Sequence, residues 1–228
     1  MFLDPEDILS NDILINGYSL AKKYDYDFIR YNLYEGNNKI NCNFIIKNLI
    51  SKPFYKPELK LYLFYGLGRL QEIDFFITNK LIKRNIFIKA LNSINKYFLN
   101  QYMIDCEDGL ITFIIYQISN SYYLMKTIGY YYIQNQKSIT KNIKNFQKRI
   151  KTNFLYLKFI FQYTKNNYIE KNIANFIFVD IFLHNKDNFK SIFKEIKEID
   201  FYKEIIKMYL NCKFISLELK KILNEIIC

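Results

Sequence analysis

The hydrophobic pattern of this chain changes period once, near Thr140. Beyond that point Ile143, Phe146, Ile150, Phe154, Leu157 and Phe161 recur every three or four residues, the spacing of one helix face. Ile169, Ile173, Phe176 and Ile177 repeat it, as do Phe189, Ile192, Phe193 and Ile196, and then Ile215, Leu219, Ile222 and Ile226. Before that point the periods are mixed. From Asp12 to Lys23 the apolar positions Ile13, Leu14, Tyr18, Leu20 and Ala21 fit a helix packed on one side. Phe28 to Tyr34 reads as a strand, followed by a Gly36-Asn37-Asn38 turn and a return strand. Residues 43 to 100 read mainly as helices, with a break around Ser51-Lys52-Pro53. CEDGLITFIIYQIS, residues 106 to 119, opens a helix at Glu107-Asp108, where the macrodipole favours carboxylates. Residues 121 to 140 alternate and turn like a β-hairpin. The pattern therefore predicts an α/β part over residues 1–141 and an all-α part over 142–228. No fixed-period repeat or low-complexity linker interrupts it.

The chain starts MFLDPEDIL. Residues 1 to 4 read as the end of a buried strand and Asp7 to Ser10 as the following turn. That places Asp4 and Glu6 beyond the carboxyl end of a strand, where ligands sit in open α/β sheets. Taken alone, DPED is more often a turn with helix-capping acids than a metal site. EDG before an apolar helix is likewise usually an N-terminal charge pattern. His184, in FLHNKDN, reads as a loop or helix-end residue and is assigned no role. Neither a phosphate loop, a nucleophile elbow nor zinc spacing is present.

Charge narrows the partners. The formal net charge is +11, from 33 basic and 22 acidic residues, which permits attraction to phosphates or to an anionic membrane face. The lysines are nevertheless spread out. The densest stretch, Lys141 to Lys151, has helical spacing and reads as a solvated helix face before a nucleic-acid patch, so a nucleic-acid partner is not expected. Abundant Tyr, Phe, Asn, Ile and Lys reads as a coding bias, and single residues of these types are discounted as functional signals. Cys42, Cys106, Cys212 and Cys228 show no CxxC pairing, and no signal peptide is read; a reduced, cytoplasmic compartment is expected. The longest uncharged run, Gly109 to Met125, contains Gln117, Ser119, Asn120 and Ser121, too polar for a bilayer span of about 20 apolar residues. Peripheral contact with a membrane stays open.

The order of the motifs carries more than any one of them. DPED, DFIRYNLYEG, TNKLIKRNIF, EDGL and IGYYYIQNQKSIT, in that series, resemble glycosyltransferase family 2, the GT-A fold of nucleotide-sugar-dependent inverting transferases. The resemblance covers residues 1 to about 140, and the helical tail is similar to the extension found in members of this type. It implies an incomplete GT-A-like sheet with helices, a nucleotide-sugar donor, and a glycan, lipid-linked or protein acceptor. It implies a divalent cation, Mg²⁺ or Mn²⁺, with Asp4 at the ribose or metal and Glu6 as metal ligand, where the family usually has aspartate. Asp108 would be the general base and Glu107 beside it would position the acceptor. Lys80 would line the acceptor side; read without the resemblance, it is a surface lysine. In the family the half of the sheet that binds base and ribose precedes the acidic motif, so the chain is expected to be the carboxyl-terminal part of a transferase. Two other readings remain at this point: a non-catalytic remnant or subunit that binds partners, and a basic helical protein of nucleic acid or membrane surfaces.

Overall fold

A computed structural model describes residues 1–36, 42–46, 51–55, 76–98, 107–133, 146–164, 199–210, 221 and 224. The chain divides into two compact units, Met1–Tyr102 with Glu107–Lys141, and Met103–Cys106 with Asn142–Cys228.

The first unit is built on a sheet of six strands. In chain order its elements are β1 (Ile8–Leu9), α1 (Ile13–Tyr24), β2 (Phe28–Gly36), β3 (Cys42–Ile46), β4 (Lys52–Tyr55), β5 (Lys80–Ile82), α2 (Arg84–Phe98), α3 (Glu107–Ile118) and β6 (Ser121–Ile133). β2 and β6 run parallel at the centre, from Phe28 opposite Tyr122 to Gly36 opposite Ile133. β5 and β3 lie antiparallel along the outer side of β2, while β4 and β1 lie antiparallel along β6. A strand covered on both faces should be apolar at successive positions. β2 meets this only in part: Phe28, Ile29, Tyr31 and Leu33 are buried, but so are the polar Arg30 and Asn32 between them. On one side Phe28 stacks on Tyr122 at 4.7 Å and Tyr122 on Phe54 at 4.9 Å, with Tyr116 edge-on to Phe28 at 4.8 Å. Each such pair adds about 0.5–1.5 kcal/mol to area burial. The aromatic residues that composition discounts are thus the core itself.

Asp27, buried at the start of β2, ties three segments together. Its carboxylate accepts from the backbone N–H groups of Asn120 at 2.6 Å and Ser121 at 3.3 Å, in the turn from α3 to β6. Its carbonyl accepts from the Lys83 N–H at 2.9 Å, and its carboxylate faces Lys83 Nζ at 3.4 Å. Removing the carboxylate leaves two turn donors without it. Asp27→Ala is expected to lower stability by about 2–4 kcal/mol in urea unfolding; a loss near zero would mean that water replaces the carboxylate.

Three expectations are corrected here. Residues 1–4 form no strand: Phe2 and Leu3 are 40% and 51% exposed, and the strand β1 follows the acidic turn. Pro5, with no N–H to donate, opens that turn and cannot continue a ladder. Residues 43–100, read mainly as helices, hold the strands β3, β4 and β5 among the described residues, beside the helix α2. Their partners are β2 and β6, and for β4 and β5 these are distant in sequence, so local periodicity carries little sign of the pairing. The stretch from residue 121 is no hairpin up to Ile133 but one strand of 13 residues. Gly129 marks a close approach instead of a turn: a Cβ there would stand 2.6 Å from Tyr31 Cβ. Residues 134–140 lie outside the described residues, as do Asn37 and Asn38.

In the second unit, α4 (Phe146–Tyr163) and α5 (Ile199–Leu210) are described. Ile150, Phe154 and Leu157 are buried, as the periodicity requires, and Tyr156, Phe159 and Ile160 widen the buried stripe. Lys158 Nζ meets Glu204 Oε1 at 3.3 Å, joining the two helices at the surface. The apolar positions of the helical patterns at 169–177, 189–196 and 215–226, together with His184, lie outside the described residues. No helix among the described residues is long and apolar enough to cross a membrane.

Candidate active site

Asp4-Pro5-Glu6-Asp7 closes a tight turn, with the Asp7 N–H donating to the Asp4 carbonyl at 3.0 Å. Proline at the second position supplies the φ that such turns need. Asp7 is the acid that faces inward. Its carboxylate accepts from Tyr130 Oη at 2.5 Å and from the Ile133 N–H at 2.8 Å, and the Asp4 N–H donates back to Tyr130 Oη at 3.3 Å. Asp7 therefore pins the turn to the end of β6, leaving Asp4 and Glu6 exposed. The Tyr130 hydroxyl is held well above its usual range, first by burial and then by the Asp7 hydrogen bond. The Asp4 carboxyl is pushed up by burial, then by Asp7, then by Glu6.

Asp108 stands in the first turn of α3, half-buried. Burial pushes its carboxyl up to about 6, and the Glu107 charge adds to this. Lys80 pulls it down, Asp4 pushes it up again, and a hydrogen bond from the Ile77 backbone lowers it. Asp4, Lys80, Glu107 and Asp108 are thus close enough to act electrostatically on one carboxyl. Glu6 joins this group through Asp4, whose carboxyl it pushes up.

Lys80 is no surface lysine. It is 0% exposed. A buried ammonium is tolerated only when paired and hydrogen-bonded. Its Nζ donates to the Phe76 carbonyl and to Asn79 Oδ1 at 2.8 Å, and lies 5.9 Å from the centre of the Tyr116 ring. Asn79 is the residue that sequence reasoning missed. It clamps the Ile77–Lys80 turn onto β2, its carbonyl accepting from the Tyr31 N–H at 3.0 Å and its Nδ2 donating to the Tyr31 carbonyl at 3.2 Å. TNKLIKR stood out as a stretch, but a single asparagine in an asparagine-rich chain carried no weight.

No protein-family model matches the chain, and no curated protein matches it in sequence. Among solved structures, the fold is similar to that of S. aureus TarS, residues 1–349, in complex with UDP-GlcNAc. The TM-score is 0.59 at 12% identity, over 92% of this chain and 56% of that one. A second structure of the same TarS segment gives a TM-score of 0.57 at 12% identity, over 92% and 54%. This chain spans a little over half the length of those structures. The fold is therefore a mixed α/β one similar to that of the TarS segment.

The carboxylates suit a divalent cation as a shared site only. Asp4 and Glu6 are hard oxygen donors, and the mutual repulsion that raises Asp4 would be relieved by positive charge. Asp7 is committed to Tyr130 and Ile133. Among the described residues, no three His, Cys, Asp or Glu side chains are grouped to hold a metal by themselves. A cation such as Mg²⁺, which commonly takes one or two carboxylates and completes its shell from phosphates and water, fits that donor set.

Proposed function

We propose that this chain binds a nucleotide-sugar and transfers the sugar, with inversion, to a hydroxyl-bearing acceptor of the glycan, lipid-linked or protein class. The observation that carries this reading is that Asp4 and Lys80, from two other motifs, lie close enough to Asp108 to act on its charge, in a fold similar to that of TarS, which was crystallised with UDP-GlcNAc. Asp108 accepts the proton of the acceptor hydroxyl as its oxygen attacks the anomeric carbon. The bond from that carbon to the phosphate oxygen breaks, and the nucleoside diphosphate leaves with the electron pair. A base whose pKa is tuned near the working pH is the efficient one. Glu107, exposed beside it, orients the acceptor. Asp4 and Glu6 would hold Mg²⁺ or Mn²⁺, which when bound neutralises the charge of the diphosphate.

Two results test the reading. Calorimetric titration with UDP-GlcNAc and Mn²⁺ should show binding that Glu6→Gln weakens by about tenfold, since one charged oxygen ligand becomes neutral, and that added metal partly restores. Transfer or slow donor hydrolysis should fall on the acid side with a midpoint near pH 6, where Asp108 takes up its proton. Absence of both nucleotide-sugar binding and turnover with every metal tried would defeat the proposal, and binding without turnover would turn it toward a donor-binding subunit.

A further inference from the structure

The outer surface of α1 is apolar where a surface helix is usually polar. Ile15 and Tyr18 are 67% and 62% exposed, and Leu14 is exposed with them. Leu14 and Tyr18 are four residues apart and Lys22 is four further on, so the three line one strip of the helix, with Ile15 beside it. Ile13 and Gly17 face inward instead, against Tyr31. At the carboxyl end of α1 the exposed rings of Tyr24 and Tyr55 flank Tyr26 at 5.7 and 6.4 Å. Tyr26 belongs to the same core cluster as Ile13, with Leu20 and Ala21 packed against that cluster. Five of the eight exposed large apolar side chains among the described residues therefore lie on α1 or beside its end, a concentration that marks an interaction surface.

Charge says what covers this surface. α1 contains no acid, and the exposed Lys22 and Lys23 stand in its last turn, Lys23 Nζ lying 5.1 Å from the centre of the Tyr24 ring. The helix macrodipole accounts for lysines at this end, but not for the apolar strip that they adjoin. Asp25, the acid nearest to them in sequence, is drawn to Lys83 Nζ at 2.8 Å instead. A second copy of this chain is a poor occupant, because Lys22 lies within the strip and two chains of formal charge +11 repel. An anionic lipid surface meets both requirements. Apolar side chains enter the headgroup boundary, tyrosine rings sit at headgroup level, and lysine stems run along the apolar part toward lipid phosphates.

We propose that α1 docks this protein on an anionic membrane surface, with Leu14, Ile15 and Tyr18 in the headgroup boundary and Lys22 and Lys23 on the lipid headgroups. The proposal is independent of the transferase reading, since none of these residues belongs to the Asp4–Asp108 group.

The test is cosedimentation of the whole chain with vesicles of phosphatidylcholine alone or with about one third phosphatidylserine. The protein should pellet with the anionic vesicles and stay in solution with the neutral ones. Binding should fade from about 0.1 to about 1 M salt, as the Debye length shrinks from roughly 10 to roughly 3 Å. Lys22→Gln with Lys23→Gln should weaken it by about 25-fold, about fivefold for each charge. Ile15→Ser with Tyr18→Ser should weaken it by about tenfold or more without lowering the melting temperature, because both side chains are already in water. Lys148→Gln with Lys151→Gln removes the same charge from the exposed face of α4 and should weaken binding by less than about threefold. No binding to the anionic vesicles overturns the proposal, as does full binding by the Ile15 and Tyr18 variant. Equal losses from the α1 and α4 lysine pairs would overturn it too, since net charge alone would then explain the attraction. A dimer in sedimentation velocity that Ile15→Ser with Tyr18→Ser dissolves would overturn it in favour of a second copy.

Discussion

Asp108→Asn is expected to lower transfer by about 10²–10⁴-fold while leaving nucleotide-sugar affinity within a factor of about two. The amide keeps the shape of the side chain and can still accept the Ile77 N–H, but it cannot take the acceptor's proton. Initial rates at saturating donor, beside calorimetric donor binding, separate the two effects. The same variant should be more stable than the wild type at neutral pH. The Asp108 carboxyl is raised from 3.8 to about 6, so the folded protein binds its proton more tightly than the unfolded chain does. Stability from this group is therefore greatest below pH 4, is lost as pH rises toward 6, and stays lost above it. A shift of about two units corresponds to at most about 3 kcal/mol. Asn, carrying no charge, escapes that penalty at pH 7, and its advantage should shrink toward pH 4. Full activity, or a variant less stable than wild type at pH 7, would show that Asp108 does not hold its charge against the fold.

The largest effect on stability should come from the two glycines packed on Tyr31. This tyrosine is 0% exposed, and its hydroxyl donates to the Ile13 carbonyl at 3.3 Å. At Gly129 a Cβ would meet Tyr31 Cβ and Cγ, both at 2.6 Å, and Ile13 Cγ1 at 2.9 Å. The tyrosine atoms lie next to its backbone, so relief requires the two central strands to move apart. Gly129→Ala should lower stability by about 3 kcal/mol or more, a strained overpacking. That corresponds to a melting temperature lower by roughly 10 °C for a chain of this size. Gly17→Ala should be comparably damaging for a different reason, since its Cβ would stand 1.8 Å from the Tyr31 hydroxyl oxygen and 3.0 Å from Cζ. Tyr31→Phe removes the oxygen. It should recover part of the Gly17→Ala loss and almost none of the Gly129→Ala loss, and a double-mutant cycle measured in urea reads the difference. Equal recovery in both would mean that the strands yield more easily than their register implies.

Local chemistry was legible in the sequence wherever neighbours along the chain decide the structure. The helix period placed α1, though Leu14 and Tyr18 of its expected packed face are exposed, and it placed the buried stripe of α4, while the acids of EDG marked the first turn of α3, because these depend on contacts within a few residues. β2 was legible as a strand from Phe28, Ile29, Tyr31 and Leu33, although the polar Arg30 and Asn32 are buried among them. The acids at positions 4, 6, 107 and 108 drew attention for their type alone, and the motif order suggested that they belong together. What each does was decided by partners distant in sequence. Asp7, written in the same knot of acids as Asp4 and Glu6, differs from them only because Tyr130 and Ile133 of β6 take up its carboxylate. Lys80 reads as any other lysine until the fold buries it against Phe76, Asn79 and the Tyr116 ring. Gly129 is one residue of a stretch read as a hairpin until β2 lies beside it and Tyr31 fills the space where a side chain would go. β4 and β5 were missed for the same reason: a strand is stabilised by its ladder partner, and that partner is chosen by the whole sheet.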